Sequence, residues 1–446
     1  MQPKRIGVSL AYLLEALTGG FYIAITRSLA PLYFAAIGMD IEEILKINLL
    51  AYLAALLSAP IINGRREALV KGRFKAKLIA FYVAERVSWG LIPIATRLTP
   101  TILLLTYTSS ITLTLPSSIL INSSLMAGLN EVEVKRVYAY RGALSSVSSV
   151  VGQLIVVVVL ASTLSLDKYL YLYILASSIG LASTILLLPI PTPNPLNRKP
   201  REEFVVRVSS TLIYLSLMLS SSSIMGVVWA PYLMIKLKAP EYIAASLGLT
   251  QTLTSIAASL YWVKKPASSY RLAVLLTSPI PMISYLLLDP LAHIAIASLY
   301  AFSLTGVNLL ACFIFAESSR DIDPIKASTM LATAYALSQV LGLSLACLSV
   351  KVALWVLFAV ASLLAAASSI VAFTAIPELT LLPKSYAWMY SRQLYYLALT
   401  SYSYTAIALK SSIKLTTKLI GLTLLALLAY TLHRVLHYMV ILASSG

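Results

Sequence analysis

Residues 191–203 read PTPNPLNRKPREE, with four prolines and five charged side chains in thirteen positions. Proline lacks the backbone donor that a continuous helix needs, and such a charge density is expelled from hydrocarbon. This segment is therefore a linker, and everything on either side of it is apolar. Before it lie hydrophobic runs near 9–37, 43–63, 78–97, 100–126, 142–164 and 168–190; after it lie runs near 206–235, 242–262, 271–288, 290–316, 327–349 and 352–376. Each is about the 20 residues that span a 30 Å hydrocarbon core. Six spans on each side of one proline-rich linker predict an all-α polytopic membrane protein, with an N-terminal bundle (1–190), a linker (191–205) and a C-terminal bundle (206–376).

Composition agrees. Of 446 residues, 59% are hydrophobic and only 11% charged, where a soluble domain carries about 25% charged residues. The formal charge of +17 does not indicate nucleic acid, because no water-exposed domain exists on which the charge could form a patch. Lys and Arg instead sit in short connectors, where they set topology and meet anionic lipid headgroups. With the N-terminus placed inside, alternate connectors hold twenty basic residues, from Lys4 and Arg5 to Arg320 and Lys326. The intervening connectors hold six: Lys46, Arg97, Lys168, Lys236, Lys238 and Lys351. A missed span would invert this alternation, so it supports the count and predicts a multi-pass cell-membrane protein with a cytoplasmic N-terminus. The first run, Ser9 to Gly38, is too long for a signal-peptide core and is read as a retained span. Cys312 and Cys347 lie inside apolar runs and read as small core residues, outside any disulfide or metal framework.

Residues 377–446 differ in character. A tyrosine-rich stretch from Tyr386 to Tyr404 is just long enough to cross but rich in interface-seeking tyrosine, so of the two readings an interfacial helix is favoured, and an apolar run from about Leu419 to Leu442 reads as a thirteenth span. His433 and His437 are four apart in that run, but with no third ligand in view they are read as a polar face rather than a metal site.

The halves repeat. At an offset of 200, Ala30-Pro31 matches Ala230-Pro231 and Arg65 matches Lys265; at an offset of 190, Glu131, Glu133, Arg136 and Gly152 match Asp321, Asp323, Lys326 and Gly342. Six spans return the chain to its starting side, so the halves are expected to be parallel. On these features, together with the basic central loop and the segment Leu129-Asn-Glu-Val-Glu-Val-Lys-Arg-Val-Tyr-Ala-Tyr-Arg-Gly entering span 5, residues 9–376 resemble the major facilitator superfamily. The loop between spans 2 and 3, Gly64-Arg65-Arg66-Glu67-Ala-Leu-Val-Lys71-Gly72-Arg73-Phe-Lys75, diverges from that family's signature by lacking its acidic-Arg pair. The resemblance implies a 6+6 fold, alternating access and a solute, and leaves the solute's identity open.

Ionisable residues inside hydrocarbon cost about 3 kcal/mol or more and are default candidates for a transport path. Glu15 and Arg27 in span 1 and Glu85 and Arg86 in span 3 qualify. Glu15, Thr18, Tyr22 and Thr26 recur at helical spacing as a polar stripe expected to line a central cavity, with Arg27 beside it able to hold an anionic group. Their bland reading is interhelical ion pairing that only fixes packing. A carboxylate at Glu15 or Glu85 is a candidate proton-coupling group. Gln153, Gln251 and Gln339 are expected to hydrogen-bond helix to helix. Asn308 is the better candidate for a solute contact, since span 10 packs near the cavity in the family the chain resembles.

No Gly-Lys-Ser/Thr phosphate loop is present, so the chain is expected to use gradients, with no cofactor and no metal. The leading function is a secondary active transporter of a small solute, with or without proton coupling and surrounded by lipid, in an unknown oligomeric state. Two alternatives stand beside it. One is a transporter-like scaffold or receptor; the other is a membrane enzyme acting on lipid-linked substrates, for which Asp40, Glu42 and Glu43 form the sole outward acidic cluster.

Overall fold

The computed structural model describes residues 3–65, 73–128, 131–162, 167–190, 192, 202–318, 324–381, 383 and 385–396. Met1–Trp388 form one compact unit and Met389–Gly446 a second. In the first half the spans are α1 (Pro3–Ile25) with α2 (Ala30–Ala36), α3 (Ile41–Gly64), α4 (Phe74–Gly90) with α5 (Ile92–Ala95), α6 (Pro100–Gly128), α7 (Glu131–Ser162), and α8 (Asp167–Ala182) with a 3-10 turn at Ser183–Leu187. The second half continues with α9 (Glu202–Ile235), α10 (Glu241–Trp262), α11 (Tyr270–Thr277) with α12 (Ile280–Leu286), α13 (Ala292–Ser318), α14 (Pro324–Val350) and α15 (Leu354–Ala375). Among the described residues nine of these spans are long and apolar enough to cross a membrane. Of the others, the third carries Glu85 and Arg86 at mid-length and the ninth is split in two. The chain is a multi-pass, all-α membrane protein. Its outer surface says the same: Leu57, Ile61, Leu105, Leu260, Leu348 and Leu363 are 62% to 67% exposed, which lipid accepts and water does not.

The two halves pack as a swapped pair. α3 lies against α14 and α7 against α10, so span 2 meets span 11 and span 5 meets span 8. Exchanging the halves turns one contact into the other, as parallel repeats require. Within each half the same crossing recurs between the first and fifth spans, α1 with α7 and α9 with α14. Close approach there depends on glycine: a Cβ on Gly20 would lie 2.2 Å from the Ser145 carbonyl oxygen, and one on Gly342 would lie 2.3 Å from that of Ser220. Gly342 is the sequence match of Gly152, whose own Cβ would press on the Phe21 carbonyl at 3.1 Å. Backbones meet at these points with no side chain between them.

Three spans read from sequence as unbroken are split. Pro31 falls in the first turn of α2, Pro93 in that of α5 and Pro281 in that of α12, where proline's missing donor is tolerated and the preceding turn gives way. The fifth span lies at Tyr140–Ser162, close to the expected 142–164, but its helix begins earlier, at Glu131, because polar first turns continue it beyond the apolar run. Cys312 is exposed instead of in the core, since lipid gives a thiol no reason to turn inward.

The end of the bundle where α1 begins is the near end; its opposite is the far end. At the far end one apolar core draws on both halves, including Tyr33, Phe34, Tyr169, Trp229, Tyr232, Leu343 and Phe358. Toward the near end the two larger cores are separate, and a small cluster of Ala59, Leu115 and Ile119 against Ala332 joins the halves. Tyr12, Phe74, Leu78, Leu120 and Leu125 belong to the first half, while Tyr214, Met218, Trp262, Tyr270 and Leu310 belong to the second. The segment after α15 is held to this second core by Arg271, which donates to the carbonyls of Leu379 at 2.9 Å and Thr380 at 2.5 Å. Part of the linker and the loop Arg66–Gly72 lie outside the described residues, as do the end of the tyrosine-rich stretch and the expected thirteenth span with His433 and His437.

Candidate functional site

The break in the first span builds the site. Past Ile25 the helical register slips: the Ser28 amide donates to Ile23 rather than to Ala24. The Ala24 carbonyl is left over, and Gln153 Nε2 of α7 donates to it at 3.1 Å. The Thr26 carbonyl accepts from Tyr173 OH of α8 at 3.2 Å. Gln153 thus has the helix-to-helix role expected of it.

Arg27 sits in this break, between α1 and α2. Its Nη2 donates to Glu85 Oε1 of α4 at 2.5 Å. The other oxygen of the same carboxylate, Oε2, accepts from Arg86 Nη1 at 2.7 Å. One carboxylate therefore serves two guanidiniums. Glu85 and Arg86 side chains are 1% and 5% exposed, whereas Arg27 is 31% exposed. Arg86 is wedged between aromatic faces, with its guanidinium carbon 3.9 Å from the Tyr82 ring centre and 4.8 Å from that of Tyr22, a cation–π arrangement that fixes its charge in place.

A second ion pair lies nearer the near end. Arg141 Nη2 of α7 donates to Glu15 Oε2 at 2.6 Å, and Tyr82 OH of α4 donates to Glu15 Oε1 at 3.0 Å. Tyr82 thus touches both clusters, through its hydroxyl on Glu15 and its ring on Arg86. Spans 1, 3 and 5 are tied through charged groups in a region of buried packing.

Of the expected residues, Glu15, Arg27, Glu85 and Arg86 come together with their partners. Tyr22 and Thr26 are fully buried within the first half, where the sequence reading has them lining a cavity. Thr18 and Thr26 turn their hydroxyls onto their own helix, Thr26 to the Tyr22 carbonyl at 2.7 Å. The stripe's helix packs against α7 and α8, and α4 reaches it through Tyr82 on Glu15 and Arg86 on Tyr22. Asn308 lies in the other half, lining a cavity of about 170 Å³ with Ser222, Trp229, Gln251, Ser255 and Tyr300. That cavity is lined by uncharged residues alone.

Arg141 is a site residue that sequence reasoning missed, because it reads as a connector charge. Counting back from Gly152 shows the signal: Arg141, Ser145, Ser148 and Gly152 share one helical face, and that face is the one pressed on α1. Lys168, also read as a connector charge, is 5% exposed and bridges the halves at the far end through Glu241 at 2.9 Å. Tyr169 OH donates to the same carboxylate at 2.5 Å. His293 was not singled out either; it is buried, accepts from Trp229 Nε1 at 2.9 Å, and has Nε2 3.1 Å from the Leu287 carbonyl, which assigns the proton to Nε2. The acidic cluster has a structural role. Asp40 Oδ1 accepts from the Glu43 amide at 2.8 Å, Glu43 Oε2 accepts from the Asp40 amide at 3.1 Å, and Glu42 pairs with Lys46 at 2.7 Å. This is a capping box on α3. A larger depression of about 420 Å³ at the far rim, lined by Tyr33, Glu43 and Arg97 among others, includes none of the expected site residues.

No family model matches this sequence, and no curated protein matches it. Solved structures do. The human organic anion transporter MFSD10 has a TM-score of 0.57 at 13% identity, over 83% of this chain and 100% of its own. A bacterial homolog of the human lysosomal transporter Spinster, in an inward-facing and occupied conformation, has a TM-score of 0.56 at 13% identity, over 90% of this chain and 98% of its own. The nucleoside transporter NupG has a TM-score of 0.57 at 13% identity, over 83% of this chain and 98% of its own. The fold is that of the major facilitator transporters, as the duplicated six-span pattern predicts.

Proposed function

We propose that this chain is a secondary transporter that carries a small solute by alternating access, in a membrane that places its N-terminus on the cytoplasmic side. The observation that carries the reading is the Arg27–Glu85–Arg86 cluster at a helix break, in a bundle whose halves share one large core at the far end and keep two larger separate ones toward the near end. Intramembrane charges of this kind mark transport paths, and broken helices supply polar groups at mid-depth. The halves 1–190 and 206–376 rock about the contacts of spans 2 with 11 and 5 with 8, with 191–205 as the connecting linker.

In this reading Arg27 is the solute-facing residue of the first half and Asn308 that of the second. Arg86, held by Tyr22 and Tyr82, is a positioning residue, and Thr26 shapes the break. The coupling carboxylate, where a proton is carried, is Glu15. Neutralising Glu85 would take the shared carboxylate from Arg27 and Arg86 together, whereas neutralising Glu15 alters one ion pair, that with Arg141. The enzyme alternative lacks comparable support, since Asp40, Glu42 and Glu43 are engaged in capping and pairing.

Uptake into proteoliposomes across a solute panel, with and without a pH gradient, tests the reading. Wild type is expected to accumulate a solute, and Glu15→Gln to lose the response to the pH gradient while retaining solute exchange. Gradient-driven uptake unchanged in Glu15→Gln would remove that residue from coupling. No uptake of any solute would favour the scaffold reading.

A further inference from the structure

We infer that the solute carries one anionic group, a carboxylate or its equivalent, and that this group completes the Arg27–Glu85–Arg86 cluster; the inference rests on the transport reading above. The argument is a balance of charge. Two guanidiniums share one carboxylate, and Glu15, the nearby buried acid, is taken by Arg141. The cluster therefore holds one positive charge in excess inside the bundle, with Glu85 and Arg86 enclosed and Arg27 open on one side, a state that favours a counter-ion at Arg27.

The two arginines are not equivalent. Arg86 is enclosed by Tyr22 and Tyr82 and acts as the fixed charge. Arg27 contacts Glu85 through a single nitrogen, retains 31% exposure of its side chain, and leaves its buried Nε without a hydrogen-bond partner; the Nε of Arg86 is likewise unpartnered. A guanidinium fork held by one contact has donors left for a planar anion. One excess charge fits a monoanion; a dianion would leave a negative charge in its place.

Thermal unfolding of the full-length protein in neutral detergent provides the test, with matched pairs as probes: lactate against lactamide and benzoate against benzamide, with succinate as a dianion. Phosphatidylglycerol against phosphatidylcholine separates a lipid headgroup from a free solute. At least one monoanion is expected to raise the melting temperature while its amide does not. The shift should vanish in Arg27→Gln. In Arg27→Lys, which keeps the charge and loses the fork, half-saturation should rise about tenfold. Stabilisation by an amide equal to its acid, retention of the shift in Arg27→Gln with a wild-type melting temperature, or no response to any anion would overturn the inference. A response confined to phosphatidylglycerol through Arg27 keeps the anion site and assigns it to a lipid. An Arg27-dependent shift without uptake into proteoliposomes keeps the anion site and removes the transport reading.

Discussion

Arg141→Gln removes the partner of a carboxylate that has nowhere else to go. Glu15 has a side chain 7% exposed, and besides Arg141 it accepts only from Tyr82 OH among the bonds the structure shows. Breaking a buried pair by deleting one member costs about 3–5 kcal/mol, because the survivor is left charged in a poor solvent. The Tyr82 bond remains, and a hydrogen bond to a charged group is worth about 1.5–3 kcal/mol. The loss should therefore fall near the lower end, about 3 kcal/mol. Glu15→Gln should cost less, since Arg141, 15% exposed, is long enough to carry its charge toward the near-end surface. The double variant Glu15→Gln/Arg141→Gln puts two neutral amides in place of the pair and leaves no charged Glu15, so it should be more stable than Arg141→Gln alone. The coupling energy of the cycle should be about 2–3 kcal/mol. Equilibrium unfolding in mixed micelles, followed by tryptophan fluorescence, measures all four corners. An Arg141→Gln loss below about 1 kcal/mol, or single losses that simply add, would refute the assignment of a desolvated pair.

The remaining expectations concern packing and the far-end seal. Gly342→Ala and Gly20→Ala should each destabilise by about 1–3 kcal/mol in the same unfolding assay, because the new Cβ meets a carbonyl oxygen at 2.3 Å and 2.2 Å; Gly226→Ala, with nothing within 4 Å, should be neutral or stabilising. Gln153→Leu should cost about 1–3 kcal/mol by orphaning the Ala24 carbonyl, and a loss below about 0.5 kcal/mol would show that another donor takes its place. Lys168→Ala removes the cross-half bridge to Glu241. Weakening the seal by about 1 kcal/mol shifts the open-to-sealed ratio about fivefold, read as faster far-side thiol labelling of Val228→Cys on a background lacking Cys312 and Cys347.

The apolar spans of residues 9–376 and their pairing into parallel halves were legible in the sequence, because the bilayer demands long apolar helices and the linker 191–203 interrupts them visibly. The repeat was legible too: Gly152 and Gly342, matched by offset alone, lie at the same crossing of first and fifth spans in their two halves. Glu15, Arg27, Glu85 and Arg86 stood out for a reason that needs no coordinates, namely the expense of charge in hydrocarbon.

Hydropathy weighs each residue by its own chemistry, so it marked Arg141 and Lys168 as connector charges and could not say that packing buries both. It could not show which way the stripe of Tyr22 and Thr26 faces, because an apolar helix in lipid has no wet side to orient it. Nor could it show that Glu85 serves Arg27 and Arg86 together while Glu15 takes Arg141. Sequence fixes which charges must find partners; only the crossing of helices 1, 3 and 5, set by backbone contact at glycine, decides who those partners are and leaves one positive charge over.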